Sequence, residues 1–333
     1  MKIVAYGCRE EERTYFEKLQ RKYSGQAELE IIQEHLCTDT AEKAKGADAV
    51  SIEGQCRADR ETLHQLQEYG VRYLSTRTVG YNNIDLAAAK EYGIRCSNVT
   101  YSPYGVANFT VLLILASIRK FVHLMARSEV MDYSLRGMEG EELQNLTVGI
   151  VGMGRIGKAV AKCLSGFGCP IIAYTNHPNE ETRALAEEVS LEELYGRADI
   201  ITLHLPLTEQ NYHMIDQQAI SGMKDGVYII NTARGELIDT KALIDAVESG
   251  KVAGAAVDSF ENEQQVIHID HEATPIVNRD LMTLKAYPNV LVSPHAAFYT
   301  RQAVEDMVNC SVEGLLQWCR GGENPQEVSV SLR

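Results

Sequence analysis

The sequence predicts an α/β protein of two domains, each with a parallel sheet covered by helices, and three observations carry that expectation. Short apolar, β-branched runs alternate with helical patterns along the whole chain, the rhythm of parallel strands covered by helices on both faces. The runs fall into two groups, one before residue 100 and one after residue 146. In the second group a strand runs directly into Gly152-x-Gly154-x-x-Gly157, the glycine spacing of a dinucleotide loop.

In chain order, the first group places strands at 2–6, 47–52, 71–76 and 95–99, with helices at 10–23, 58–69 and 84–92. Residues 102–130 follow as one long linking helix, for which Ser102 suits the N-cap and Pro103 the first turn. The second group places strands at 147–152, 170–174, 198–205, 226–231, 252–257 and 289–293, with helices at 155–167, 190–196 and 240–249. A last helix, 300–318, is expected to return to the first domain. That domain is then discontinuous, 1–100 plus 300–333, around a dinucleotide-binding domain of 101–299.

A chain of 333 residues with 45% hydrophobic content can bury two cores. Its net charge of −14 argues against nucleic-acid or anionic-membrane partners, because phosphate surfaces need a basic face. Only Arg72 to Arg77 forms a mildly basic run. Eight scattered cysteines include no C-x-x-C pair, which suits a reducing cytosol. The N-terminus becomes charged within its first ten residues, unlike a signal peptide, and the apolar run 111–117 is too short to span a bilayer. The expectation is a soluble, cytoplasmic protein.

The strand at 147–152 before the glycines, and the helix and strand after them, make the loop a strong dinucleotide signal. Its glycines let the backbone approach a pyrophosphate seated on the helix N-terminus. The acid expected at the end of the second strand would hold the adenosine ribose and repel the extra phosphate of NADP. That position is Thr175. The cofactor expected is NAD, with NADP also accepted.

Three stretches after later strands carry titratable groups: "NTARGELID" (231–239), "AAVDSFENE" (255–263) and "VSPHAAFYT" (292–300). The carboxyl ends of strands face the ligand crevice in such sheets, so Arg234, Asp258, Glu263 and His295 can converge there. An arginine fork grips a carboxylate, an imidazole gives a proton, and a carboxylate supports that imidazole. The set suits reduction of a 2-keto acid. Glu261 competes with Glu263 as the partner of His295, and Asp258 is open between a structural and a cofactor role. His268 and His271 sit three apart, but no further ligands are organised near them and no metal is expected.

These stretches, with "STRTVGYNNID" (75–85) and "NVTYSPYGVANFT" (98–110), resemble the D-isomer-specific 2-hydroxyacid dehydrogenases along essentially the full chain. The likeness is greatest to the D-lactate dehydrogenase branch, including the vancomycin-resistance and D-2-hydroxyisocaproate types. The resemblance implies two Rossmann-like domains with parallel sheets, a nicotinamide cofactor and substrate in the cleft between them, and a homodimer formed through the cofactor domain. It assigns Arg234 to substrate binding and carbonyl polarisation, His295 to acid–base work and Glu263 to supporting that histidine. It implies substrate contacts from Val79, Gly80 and Tyr101. It lines the cofactor with Gly152, Gly154, Arg155, Ile156, Gly157, Thr175, Leu205, Pro206, Asn211, Thr232, Ala233, Arg234 and Asp258.

Two further departures from the family pattern are Tyr104, where an Asn is usual, and Asn108, where a Glu is usual. The function expected is reduction of pyruvate to D-lactate. The alternatives are the same chemistry on a larger branched or aromatic 2-keto acid, and a nucleotide-sensing, corepressor-like binding module. Formate oxidation is disfavoured, because that branch pairs its histidine with a glutamine. Ile52, Tyr101, Phe298, Tyr299 and Met307 are expected to form an apolar substrate pocket.

Overall fold

The computed structural model describes residues 1–329, which divide into two compact units: Met1–Ser102 with the chain from Tyr299 onward, and Pro103–Phe298. In the first unit β1 (Lys2–Ala5), β2 (Glu28–Ile31), β3 (Ala49–Ile52), β4 (Tyr73–Thr76) and β5 (Arg95–Ser97) are parallel, in the order β5-β4-β3-β1-β2. The short strand Glu327–Val328 adds antiparallel to β5, and Arg95 clasps the Glu327 carboxylate at 2.9 and 2.6 Å.

Alternation along the strands builds a core on each face. Ile3 and Ala5 pack with Phe16 of helix Glu10–Lys22 and with Val308, Val312 and Leu315 of helix Arg301–Cys319. Val4, Tyr6, Val50 and Leu74 pack with Leu63 and Leu66 on the other face. Ile52 and Met307 are buried in this unit at 0% and 2% exposure, which removes both from the expected substrate pocket. Each reads as apolar in sequence, but the carboxyl-terminal end of a strand and a buried helix face both supply apolar residues to a core.

The second unit holds β6 (Val148–Val151), β7 (Ile171–Tyr174), β8 (Glu187–Glu188), β9 (Ile200–Leu203), β10 (Val227–Asn231), β11 (Val252–Val257) and β12 (Val290–Val292). All are parallel, in the order β12-β11-β10-β9-β6-β7-β8. Adjacent Ile200 and Ile201 enter opposite cores, as expected of a sheet covered on both faces.

The expected linking helix is two helices, Tyr104–Ile118 and Phe121–Glu129, bent by 65°. Lys120 takes a left-handed φ of 50°, and the Glu141 N–H donates to the Ile118 carbonyl at 3.0 Å. Gly140 makes that return feasible, since a Cβ there would lie 2.6 Å from the same carbonyl oxygen. The break is braced by loop residues more than twenty positions further along the chain, so local helix pattern does not reveal it. Among the described residues no single helix is long and apolar enough to cross a membrane.

Candidate active site

The carboxyl-terminal edge of the second sheet carries the candidate residues in strand order. His295 follows β12, Asp258 and Glu263 follow β11, and Arg234 follows β10. Leu205 and Pro206 follow β9, the glycine loop follows β6, and Thr175 follows β7. The order reverses direction around β6, the switch point at which such sheets bind nucleotides.

The glycine loop fits a pyrophosphate on steric grounds. Gly152 has φ 100° and a Cβ there would lie 2.7 Å from the His204 carbonyl oxygen; one at Gly157 would lie 2.0 Å from the Gly152 oxygen. Both are needed for the turn itself. Gly154, at the N-cap of helix Arg155–Leu164, meets no atom within 4 Å. It leaves the approach to the helix N-terminus open, where N–H groups and dipole favour an anion. The residues present therefore suit a dinucleotide.

The flanking loops are braced. Asn211 donates to the Pro206 carbonyl at 2.8 Å and accepts from the Thr208 N–H at 2.7 Å, closing the turn 206–211. Thr232 shares a hydroxyl contact of 2.9 Å with Thr110, and the Ala233 N–H donates to the Asn231 side chain at 2.9 Å. Arg155 is exposed at the first helical position, with Ile156 half-buried behind it. His204 is half-buried, and desolvation pushes its imidazole down to about 3, so it is neutral.

Thr175 borders a depression that is also lined by Pro178, Glu188, Val189, Ser190 and Glu193. Its hydroxyl accepts from the His177 N–H at 3.2 Å. Two carboxylates thus rim the strand end from which the usual acid is missing. They arrive from β8 and from helix Leu191–Arg197, distant in sequence from Thr175.

The candidate acid–base histidine is built on a strained turn. His295 has φ 52°, uncommon for a non-glycine residue. Its N–H donates to the Asp258 carbonyl at 2.9 Å. The Asp258 carboxylate accepts from the Ala296 and Ala297 N–H groups, both at 2.9 Å, and from Ser293 Oγ at 2.6 Å. Asp258 is 1% exposed, so its carboxylate is committed to this turn. Within the turn, His295 Nδ1 lies 2.7 Å from Glu263 Oε1, and Glu263 Oε2 accepts from the Phe260 N–H at 3.1 Å. No protein group among the described residues bonds Nε2, and the side chain keeps 25% of its exposure.

Glu261 is occupied elsewhere. It lies 2.7 Å from His213 Nε2 and accepts from the Thr240 N–H and hydroxyl at 3.0 and 2.5 Å. Glu263 alone pairs with His295. Arg234 is half-buried, and one guanidinium nitrogen donates to the Ala233 carbonyl at 2.7 Å. No carboxylate among the described residues neutralises it. Its backbone is fixed by Gly235, where a Cβ would lie 2.1 Å from the Phe260 carbonyl carbon.

One neighbour escaped the sequence reading. His268 Nε2 lies 3.3 Å from the His295 carbonyl oxygen. The rings of His268, His295 and Phe298 stand 6.3 to 6.5 Å apart, edge to face. The three-residue spacing of His268 and His271 carries no sign of this packing, which depends on contacts 27 residues away.

In the first unit the loop 78–80 follows β4. Val79 is exposed, its carbonyl accepts from Asn98, and the Thr78 hydroxyl donates to the Gly80 carbonyl at 2.5 Å. The N–H groups of Val79 and Gly80 meet no acceptor among the described residues. Beneath them Arg77 is not part of a basic surface: it is buried, 3.0 Å from Glu12, and donates to the carbonyls of Ser51, Tyr6 and Gly7. The neighbouring Tyr299 ring carries the Arg9 guanidinium 5.7 Å from its centroid, and Tyr101 is half-buried. Arg9 stands four positions past β1, at the N-cap of helix Glu10–Lys22.

The family model for the NAD-binding domain of D-isomer specific 2-hydroxyacid dehydrogenases matches residues 111–297. The chain is 46% identical over 321 residues to an aromatic 2-oxoacid reductase of Clostridium sporogenes, covering 96% of both proteins. It is 38% identical over 330 residues to a D-lactate dehydrogenase of Lactiplantibacillus plantarum, covering 98% of this chain and 99% of that one. Its fold is similar to a solved D-2-hydroxyisocaproate dehydrogenase, with a TM-score of 0.90, 37% identity, and coverage of 99% and 100%.

Proposed function

The chain belongs to the D-isomer-specific 2-hydroxyacid dehydrogenases, NAD-dependent oxidoreductases acting on CH–OH groups, and on that premise we propose that it reduces 2-oxo acids with a large apolar, above all aromatic, side chain. The observation that carries the reaction is the His295–Glu263 pair at 2.7 Å, set on a turn that leaves Nε2 unbonded by the protein. NADH held at the glycine loop would supply the hydride for the carbonyl carbon. His295, held by Glu263, supplies the proton to the carbonyl oxygen. Arg234, with no acid to neutralise it, draws electron density from that carbonyl and orients the substrate carboxylate. In the first unit Val79 and Gly80 offer their N–H groups to a carboxylate, with Tyr101 and Tyr299 as the neighbouring substrate contacts.

Two findings support the aromatic side chain. The rings of His268 and Phe298 flank His295, and π-faces pack well against a flat apolar group. The relative at 46% identity is named for aromatic 2-oxo acids. A second reading, pyruvate to D-lactate, is favoured by the relative at 38% identity. Kinetics on a series from pyruvate through 4-methyl-2-oxopentanoate to phenylpyruvate separate them. Phenylpyruvate is expected to exceed pyruvate in kcat/KM by at least about tenfold, a difference of about 1.4 kcal/mol in transition-state binding. The opposite order establishes the D-lactate reading, and chiral chromatography of the product should return the D-isomer.

The acidic rim around Thr175 favours NADH. NADPH would bring about two further negative charges towards Glu188 and Glu193, which Arg183 at 2.9 Å and Arg197 at 2.6 Å offset in part. The expected preference for NADH in kcat/KM is at least about tenfold, measured at low ionic strength where repulsion is least screened. Equal use of the two cofactors would remove the carboxylates from cofactor choice.

The family homodimer is proposed to form through the second unit. Phe121, Val122 and Met125, with Val130, Met131, Tyr133 and Leu135 in the following loop, are all exposed. An apolar patch of this kind marks an association surface. Sedimentation equilibrium is expected to give a dimer, and Met131→Asp combined with Leu135→Glu to give a monomer. A monomeric parent refutes this assignment.

A further inference from the structure

The tip of the first sheet gathers three side chains for which the reaction has no use. His35 lies in the segment after β2, and Glu53 and Cys56 lie in the turn after β3. Their imidazole nitrogen, carboxylate oxygen and sulfur all lie within 4.8 Å of one another. We propose that His35, Glu53 and Cys56 form a binding site for a divalent metal ion of the zinc class.

The donor set selects the ion. One nitrogen, one oxygen and one sulfur suit Zn²⁺, Co²⁺ or Cd²⁺, whereas Mg²⁺ and Ca²⁺ call for oxygen ligands throughout. Three protein donors leave a fourth tetrahedral position for water. His35 is half exposed, while Glu53 and Cys56 are buried, so the ion enters from the imidazole side.

The backbone holds these donors in place without an ion. Asn83 donates to the carbonyls of both Glu53 and Cys56, at 3.1 and 3.2 Å, and the Cys56 N–H closes the turn on the Glu53 carbonyl at 3.2 Å. On the other side the Thr40 hydroxyl holds the His35 carbonyl at 2.7 Å, and the Arg57 N–H reaches the Leu36 carbonyl at 2.8 Å. The ion would replace a proton between groups already aligned, since His35 Nδ1 lies 2.9 Å from Glu53 Oε1.

Outer partners complete the set. The Leu36 N–H donates to Cys56 Sγ at 3.2 Å, a contact that favours thiolate, and the Gln55 N–H donates to Glu53 Oε1 at 2.7 Å. Arg9 lies 3.5 Å from Glu53 Oε2 and leaves Oε1 for the ion. It also offsets one of the two negative charges that the carboxylate and thiolate bring.

Cobalt reads the site directly. The full-length, metal-stripped protein titrated with Co²⁺ is expected to develop a thiolate-to-cobalt charge-transfer band that saturates at one equivalent and is displaced by Zn²⁺. Cys56→Ser should abolish the band, and His35→Ala should weaken Co²⁺ binding by at least roughly tenfold. Zn²⁺ should raise the melting temperature of the parent and of neither variant, while both variants keep the parent's NADH-dependent turnover. A band that survives in Cys56→Ser places the sulfur elsewhere, for instance at exposed Cys319, and overturns the proposal. So does a titration with no saturation below millimolar Co²⁺.

Discussion

Replacing His295 by glutamine is expected to lower kcat for 2-oxo acid reduction by about 10²–10⁴, the usual worth of a positioned general acid. Glutamine has a similar reach and can still donate to Glu263, now 2.7 Å from Nδ1, so the turn keeps its main anchor. It cannot release a proton to the growing alkoxide. The left-handed backbone at φ 52° suits histidine better than glutamine, but the difference is small beside the chemical loss. NADH binding should change little, because the glycine loop lies beyond β11, β10 and β9 from this turn. Fluorescence titration with NADH separates the two effects. A variant that binds NADH as the parent does and turns over within threefold of it removes His295 from the reaction.

The two-sheet architecture was legible because buried parallel strands read as short continuous apolar runs. Strand β2, sequence "ELEI", was not, because it is an edge strand that alternates charged and apolar residues. Helices Glu180–Leu185, Gln217–Ser221 and Arg279–Ala286 have only 6, 5 and 8 residues and give too few repeats to register. At the site, the glycine loop and the strand-end positions of Arg234, Glu263 and His295 followed from local pattern. The choice between Glu261 and Glu263 did not. It is decided by where His213 and Thr240 stand, 48 and 21 residues from Glu261. The acids near Thr175 are likewise invisible along the chain, since Glu188 reaches that strand end only through the pairing of β8 with β7. Asp258 looked as much like a cofactor ligand as a structural residue, because a strand-end carboxylate suits both roles. Only its three donors distinguish them.

Asp258→Asn is therefore expected to act on the histidine turn. The carboxylate can accept from Ala296, Ala297 and Ser293 at once because both of its oxygens are acceptors. An asparagine keeps one acceptor and turns an NH₂ group towards a backbone N–H. With the site 1% exposed, water cannot repair the mismatch. Leaving one such donor unsatisfied costs about 1–3 kcal/mol, or about one to two orders of magnitude in the population of the productive turn. The left-handed His295, whose own N–H rests on the Asp258 carbonyl, relaxes as the turn loosens. The expected result is a fall in kcat of about tenfold to a hundredfold at saturating NADH and 2-oxo acid, with a lowered melting temperature and an NADH dissociation constant within threefold of the parent. A direct cofactor role gives the opposite split: weaker NADH binding, with kcat recovered when NADH is raised. That pattern would return Asp258 to the cofactor and leave the strained turn to be held by Glu263 alone.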